Sequence, residues 1–136
     1  MTNPRSGPES AGDPLLDQLA EWKPFTALVI GDFMLDQLVY GDAERLSADA
    51  PVPILLVRKT EATPGGSANV CMDLAALGGR VLAFGVTGKD AAAEQLKQAL
   101  ADKGVEVGGL VADGSRPTTV KQNMIGLAQA RHPQKM

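Results

Sequence analysis

The segment Pro64-Gly65-Gly66-Ser67-Ala68-Asn69 joins an apolar, strand-like run to an amphipathic helical pattern that continues to about Gly78. Strand, helix, strand, helix, strand along the chain is an α/β pattern with a parallel sheet. Two glycines at the junction let backbone approach a neighbour or a ligand closely, because no Cβ stands in the way. Asn69 falls in the first helical turn, where unpaired N–H groups collect. Its amide can hydrogen-bond a hydroxyl, so the junction suits a polyhydroxylated molecule. Taken alone, the segment fits an ordinary strand-to-helix turn equally well.

The rest of the chain repeats the alternation. Asp13 to Trp22 reads as a short helix with Leu15, Leu16 and Leu19 on one face, Asp13 as N-cap and Pro14 at the first helical position. Ala27-Leu28-Val29-Ile30 is a continuous apolar run, as expected of a strand buried on both faces of a mainly parallel sheet. Val81 to Val86 and Val105 to Val111 read as further strands, with a helix over Asp90 to Lys103 between them carrying Leu96 and Leu100 on one side. Gln37 to Tyr40, Val52 to Val57 and Thr118 to Leu127 are additional strand candidates. The polar stretch around Gly41, Asp42, Arg45 and Ser47, closed by Pro51-Val52-Pro53, marks the first two as an edge or protruding element. Residues 1–12, rich in Pro, Ser and Gly, read as a disordered leader. Residues 128–136 read as a tail that stops without a closing element, a hint of truncation.

Composition excludes several function classes. A net charge of −3 with no basic stripe argues against nucleic acid as a main partner. No apolar run approaches the roughly 20 residues that span a bilayer, and there is no signal-peptide core, so the chain is expected in the cytoplasm. One cysteine and one histidine, Cys71 and His132, cannot make a zinc site of the usual kind. Cys71, inside the helix after Asn69, is expected to be a small core residue.

The first strand ends in Gly31-Asp32-Phe33-Met34-Leu35-Asp36. Ligands of open α/β sheets lie beyond the carboxyl ends of the strands. Carboxylates there can accept hydrogen bonds from sugar hydroxyls. For Asp32 a turn role is an equal alternative, whereas Asp36 with Gly65, Gly66 and Asn69 would bring polar groups from two strand ends to one crevice.

Gly31-Asp32 to Asp36, Tyr40-Gly41, Arg45-Leu46-Ser47, Ala50-Pro51-Val52-Pro53 and Pro64-Gly65-Gly66-Ser67-Ala68-Asn69-Val70 together resemble the N-terminal half of the ribokinase-like (PfkB) carbohydrate kinases, in particular the heptose-7-phosphate kinase branch. Gly85-Val86-Thr87-Gly88-Lys89-Asp90 is similar to the family's Gly-x-x-Gly-x-Asp step, and Arg116 to Lys121 to its lid-returning strand. The resemblance covers about residues 26–127. It implies a partial Rossmann-type parallel sheet with flanking helices over residues 13–127, and a protruding β-strand lid from about 37–60 and 117–127. It also implies transfer of the γ-phosphoryl group of ATP, with Mg²⁺, to a hydroxyl of a sugar or sugar phosphate, heptose 7-phosphate in the path to an ADP-activated heptose. Asp36, Gly65, Gly66 and Asn69 correspond to its sugar contacts. Asp32 assists, and Arg45 and Lys121 are candidates for a sugar phosphate, which an arginine's planar fork suits well. Ser67 and Asn123 depart from the pattern, Asn123 standing where related kinases often carry arginine. Lid strands of the family often pair between subunits, so a homodimer is an expected assembly.

The family's base is the Asp of a Gly-x-Gly-Asp segment, and the 136 residues contain none, nor a Walker-type Gly-x-x-x-x-Gly-Lys-Ser/Thr. The expectation is a sugar-binding and lid half with no catalytic, nucleotide-binding or metal-binding residues, inactive by itself. A non-catalytic sugar-binding or regulatory module is the alternative. An apolar edge and an uncovered sheet face are expected as well.

Overall fold

The computed structural model describes residues 14–127 and 133–135. The expected leader, the Asp13 cap, His132 and most of the tail lie outside the described residues. The elements are α1 (Pro14–Ala20), β1 (Thr26–Ile30), β2 (Phe33–Leu46), β3 (Pro53–Gly66), α2 (Ser67–Ala76), β4 (Arg80–Thr87), α3 (Ala91–Ala101), β5 (Glu106–Ala112), β6 (Thr119–Leu127) and β7 (Pro133–Lys135).

They form two sheets. The first has order β1-β4-β5 and is parallel throughout. The second, called the lid sheet after the strands that the resemblance assigns to a lid, has order β3-β2-β6-β7. In it β2 runs antiparallel to β3 and parallel to β6. No described helix is long and apolar enough to cross a membrane.

The core lies between the parallel sheet and helices α2 and α3. Val81 and Ala83 alternate toward it from β4, and Ala68, Cys71, Leu96 and Leu100 meet them from the helices, each at most 1% exposed. Leu96 and Leu100 are one turn apart, which puts both on the same face of α3. Phe33 and Leu35 of β2 enter the same cluster, so the base of the lid is rooted in the main core. The sheet's other face is open among the described residues. Ile30 is 73% exposed and Val111 64%, with Leu28, Phe84 and Val86 beside them. This corrects the expectation of two covered faces for β1 and matches the uncovered sheet face that was also expected: Ala27 and Val29 are half-buried, whereas Thr26, Leu28 and Ile30 are exposed.

The lid strands are longer than the sequence predicts, 14 residues each for β2 and β3 rather than short segments at 37–40 and 52–57. Register shifts at Tyr40/Gly41 and Asp42/Arg45 mark where the pair bends, and such shifts sharpen local twist. Ladder hydrogen bonds carry the strands through the polar residues that hide them from a hydrophobicity reading.

Candidate functional site

Residues directly opposite in paired strands share a face. Asp36 of β2 lies opposite Thr63 of β3 and Lys121 of β6. Two residues nearer the main sheet, Met34 lies opposite Gly65 and Thr119. Thus Met34, Asp36, Thr63, Gly65, Thr119 and Lys121 belong to one face of the lid base, and Phe33 and Leu35 turn the other way into the core.

Asp36 is the centre of this face. Its Oδ2 sits against Gly65, where a Cβ would stand 2.6 Å away. Its Oδ1 is buried, and Lys121 Nζ lies 3.3 Å from it. That contact is an ion pair by distance but is not aligned as a hydrogen bond, so Oδ1 keeps an unfilled acceptor. The Lys121 side chain is 61% exposed and has room to move. A buried carboxylate oxygen without a hydrogen bond is unusual and calls for a partner.

Gly66 takes φ 58°, a left-handed conformation that side chains resist. A Cβ there would also stand 2.6 Å from the Asp32 carbonyl oxygen. The same carbonyl accepts the Ser67 N–H at 2.9 Å and so fixes the start of α2. Asp32 thereby contributes through its backbone, and its side chain is exposed.

The structure brings Asp36, Gly65, Gly66 and Lys121 together. Asn69 and Arg45 make no hydrogen bond or ion pair with these four. The Asn69 amide donates to Asp73 one turn along α2 at 3.2 Å, on the exposed helix surface. Arg45 lies nine positions beyond Asp36 on β2, about 30 Å at the usual rise of a strand. There it lines a small hollow with Asp42, Glu44, Ile54 and Arg58.

Further polar residues on the Asp36 face were not singled out from the sequence. Glu61 stands opposite Leu38 and Lys59 opposite Tyr40. Lys59 Nζ lies 2.5 Å from Glu61, and its ammonium holds the Glu61 carboxyl below the usual carboxylate range. The i, i+2 spacing of Lys59, Glu61 and Thr63 was the available signal.

Comparison with known proteins bears on the family and the fold. The family description "pfkB family carbohydrate kinase" matches residues 26–131. The bifunctional protein HldE of Bradyrhizobium sp. (strain ORS 278) is 46% identical over 101 residues, which are 74% of this chain and 20% of that protein. The D-beta-D-heptose 7-phosphate kinase of Bordetella bronchiseptica is 41% identical over 102 residues, 75% of this chain and 32% of that one. The chain therefore spans about a fifth to a third of the curated relatives it matches. Among solved structures, Arabidopsis thaliana ribokinase complexed with ribose and ATP superposes with a TM-score of 0.61 at 20% identity, covering 83% of this chain and 35% of that one. A fungal ribokinase, from Cryptococcus neoformans and in complex with ADP, gives 0.58 at 20% identity over 85% and 34%. At that identity the likeness establishes the fold.

Proposed function

Because the chain belongs to the pfkB family of carbohydrate kinases, we propose that it forms the sugar-binding face and lid of an ATP-dependent sugar kinase whose substrate is a heptose phosphate. The observation that carries this reading is Asp36: a carboxylate with an unfilled buried acceptor, walled by bare glycine backbone and flanked by an exposed ammonium.

Each part has a chemical use. The Asp36 oxygens accept hydrogen bonds from two sugar hydroxyls, and charge-assisted bonds of this type are stronger than neutral ones. Gly65, lacking a side chain, leaves the space its Cβ would take to the Asp36 carboxylate and so seats that carboxylate against the strand. Lys121 swings from Oδ1 as a hydroxyl replaces it, and its charge meets the phosphate already on the substrate. Arg45, far along the lid, is available to a neighbouring molecule rather than to this Asp36. Heptose 7-phosphate is favoured by the names of the relatives, which share about 40% of their residues with this chain over the aligned part.

Phosphoryl transfer itself requires ATP, with Mg²⁺ to neutralise its phosphates and a base for the attacking hydroxyl. The 136 residues hold no Gly-x-Gly-Asp segment to supply that base. Among the described residues no three His, Cys, Asp or Glu side chains gather to hold an ion, so these residues do not fit a Mg²⁺ site and no step is assigned to one. In this reading the present residues bind and orient the acceptor sugar, and nucleotide chemistry belongs to other parts of the kinase. A cytoplasmic setting follows from the use of ATP. A second copy pairs along β3, the edge strand of the lid, where Leu56 and Val57, with Val52 just before the strand, are each more than half exposed.

Titration calorimetry tests the proposal. Heptose 7-phosphate is expected to bind the 136-residue chain, more tightly than the unphosphorylated heptose, with no ATP turnover. Absence of heat with either sugar, or equal affinity for both, would remove the sugar-phosphate reading.

A further inference from the structure

Strand β5 ends at Ala112 and β6 begins at Thr119, so the chain leaves the parallel sheet and enters the lid sheet just at Thr118. Thr118 is 4% exposed and held from two directions. Its N–H donates to Asp90 Oδ2 at 2.8 Å, and its hydroxyl donates to Asp90 Oδ1 at 2.7 Å. The same hydroxyl accepts the Gly88 N–H at 2.9 Å. Asp90 Oδ1 also accepts the Ala93 N–H at 2.9 Å and so caps α3. A Cβ on residue 88 would stand 2.5 Å from the Thr118 nitrogen, so only bare backbone lets these groups close up.

What this knot controls is register. A slip of one residue turns every side chain of a strand to the opposite face. In β6 it would put Val120 or Gln122 opposite Asp36 and carry Lys121 to the reverse side. Burial opposes such a slip weakly, because neither face of β6 is uniformly covered: Val120, Asn123 and Ile125 are half-buried, while Lys121, Gln122 and Met124 are exposed. No tight turn ties β6 to its parallel partner β2 either. The fixed point is Thr118, one residue before the pairing of Thr119 with Met34 begins.

We infer that the Asp90–Thr118 pair pins the register of the lid strand β6 and, by holding Lys121 beside Asp36, sets recognition of the substrate's anionic group. Both are positioning residues that touch no ligand. The pin stands on the geometry alone, whereas its effect on recognition rests on the sugar-phosphate reading above.

Thr118→Val keeps the volume and removes the hydroxyl, and Thr118→Ser restores it. Amide hydrogen exchange across Thr119–Asn123 is expected to quicken about tenfold in Thr118→Val, with α2 and β4 unchanged, and to recover in Thr118→Ser. Affinity for heptose 7-phosphate is expected to fall about tenfold in Thr118→Val, and not to fall further when Lys121→Met is already present. If Thr118→Val does not fold, Asp90→Asn is read by the same exchange, since its amide nitrogen cannot accept the Thr118 N–H. Unchanged β6 exchange in the folded variant overturns the pin. Equal affinity losses with and without Lys121 overturn the route through that residue. A wild-type chain that takes up no heptose 7-phosphate overturns the sugar reading, and the exchange rates still decide the pin.

Discussion

A Cβ on Gly65 would stand 2.6 Å from Asp36 Oδ2 and 2.8 Å from the Asp36 carboxyl carbon. The carboxylate occupies the volume that any side chain at position 65 would need. These two residues, on neighbouring antiparallel strands, are therefore one unit: the glycine makes the seat and the aspartate fills it.

Gly65→Ala should expel the Asp36 carboxylate from its seat. Asp36 has two rotatable bonds and one side open, so most of the overlap is relieved by rotation. Stability should fall by about 1 kcal/mol, at the low end for overpacking, while sugar affinity falls at least about tenfold. Urea denaturation and calorimetry measure the two separately. A variant that binds as well as wild type would show that the seat is irrelevant to the ligand.

Asp36→Asn keeps the shape and replaces one acceptor with a donor. Sugar binding should weaken by about 1–3 kcal/mol, because the buried acceptor loses its charge and half its acceptor capacity. Lys121→Met should instead leave the unphosphorylated sugar nearly unaffected and weaken the sugar phosphate. Calorimetry with both sugars separates the two roles, and an identical pattern for both variants would contradict the assignment.

The Asp90 carboxyl is held below the usual carboxylate range, chiefly by the Thr118 N–H, then by the Thr118 hydroxyl and the Ala93 N–H. A group whose folded pKa is depressed stabilises the fold fully above its unfolded pKa, about 4, and loses that contribution as pH falls through the folded value. The wild-type urea midpoint should therefore drop in this acid range. Asp90→Asn should be less stable at neutral pH and should show a flatter decline on acidification. Parallel curves from pH 7 to pH 2 would count against the hydrogen-bonded carboxylate as the cause.

Cys71 is 0% exposed, and burial pushes its thiol up from the ordinary value. Thiol reagents should modify the native chain at neutral pH only as fast as it opens. Labelling should accelerate in urea along with the loss of helical circular dichroism. Immediate labelling of the native chain would place Cys71 outside the core.

The open face of the parallel sheet should make the 136-residue chain associate. Ile30, 73% exposed, and Val111, 64% exposed, are its most exposed large residues. Ile30→Thr with Val111→Thr keeps strand propensity and reduces apolar area. Light scattering at rising concentration should show less association for this pair than for wild type, with the core unaltered.

The parts of this fold that were legible in the sequence are those set by burial. Leu96 and Leu100 at helical spacing marked α3, and the apolar run Val81 to Val86 marked β4, because both supply side chains to one core. The lid strands were legible only in fragments. Asp42, Arg58, Lys59 and Glu61 interrupt any hydrophobic alternation, and the strands persist there through backbone pairing that side chains do not announce. At the site, Gly65-Gly66 and Asp36 could be read because a junction of that type needs bare backbone near a polar group. Asn69 could not be placed, since its nearest partner, Asp73, competes for the amide. Arg45 stands apart from Asp36 for a geometric reason: strand length, which residue type does not reveal, separates the two. The Asp90–Thr118 contact joins residues 28 positions apart through two loops, and no local pattern encodes it.

The order of the lid sheet has a consequence in time. Strand β3 follows β2 through a short connection, whereas β6 meets β2 only after about 85 intervening positions, as the contact of Gln37 with Gln122 measures. Closing so long a loop is slow, and parallel pairing cannot begin from a tight turn. The hairpin of β2 and β3 should therefore form early and wait, with Lys121 arriving last. Refolding would yield a chain with native far-ultraviolet signal before it yields one able to grasp an anionic sugar.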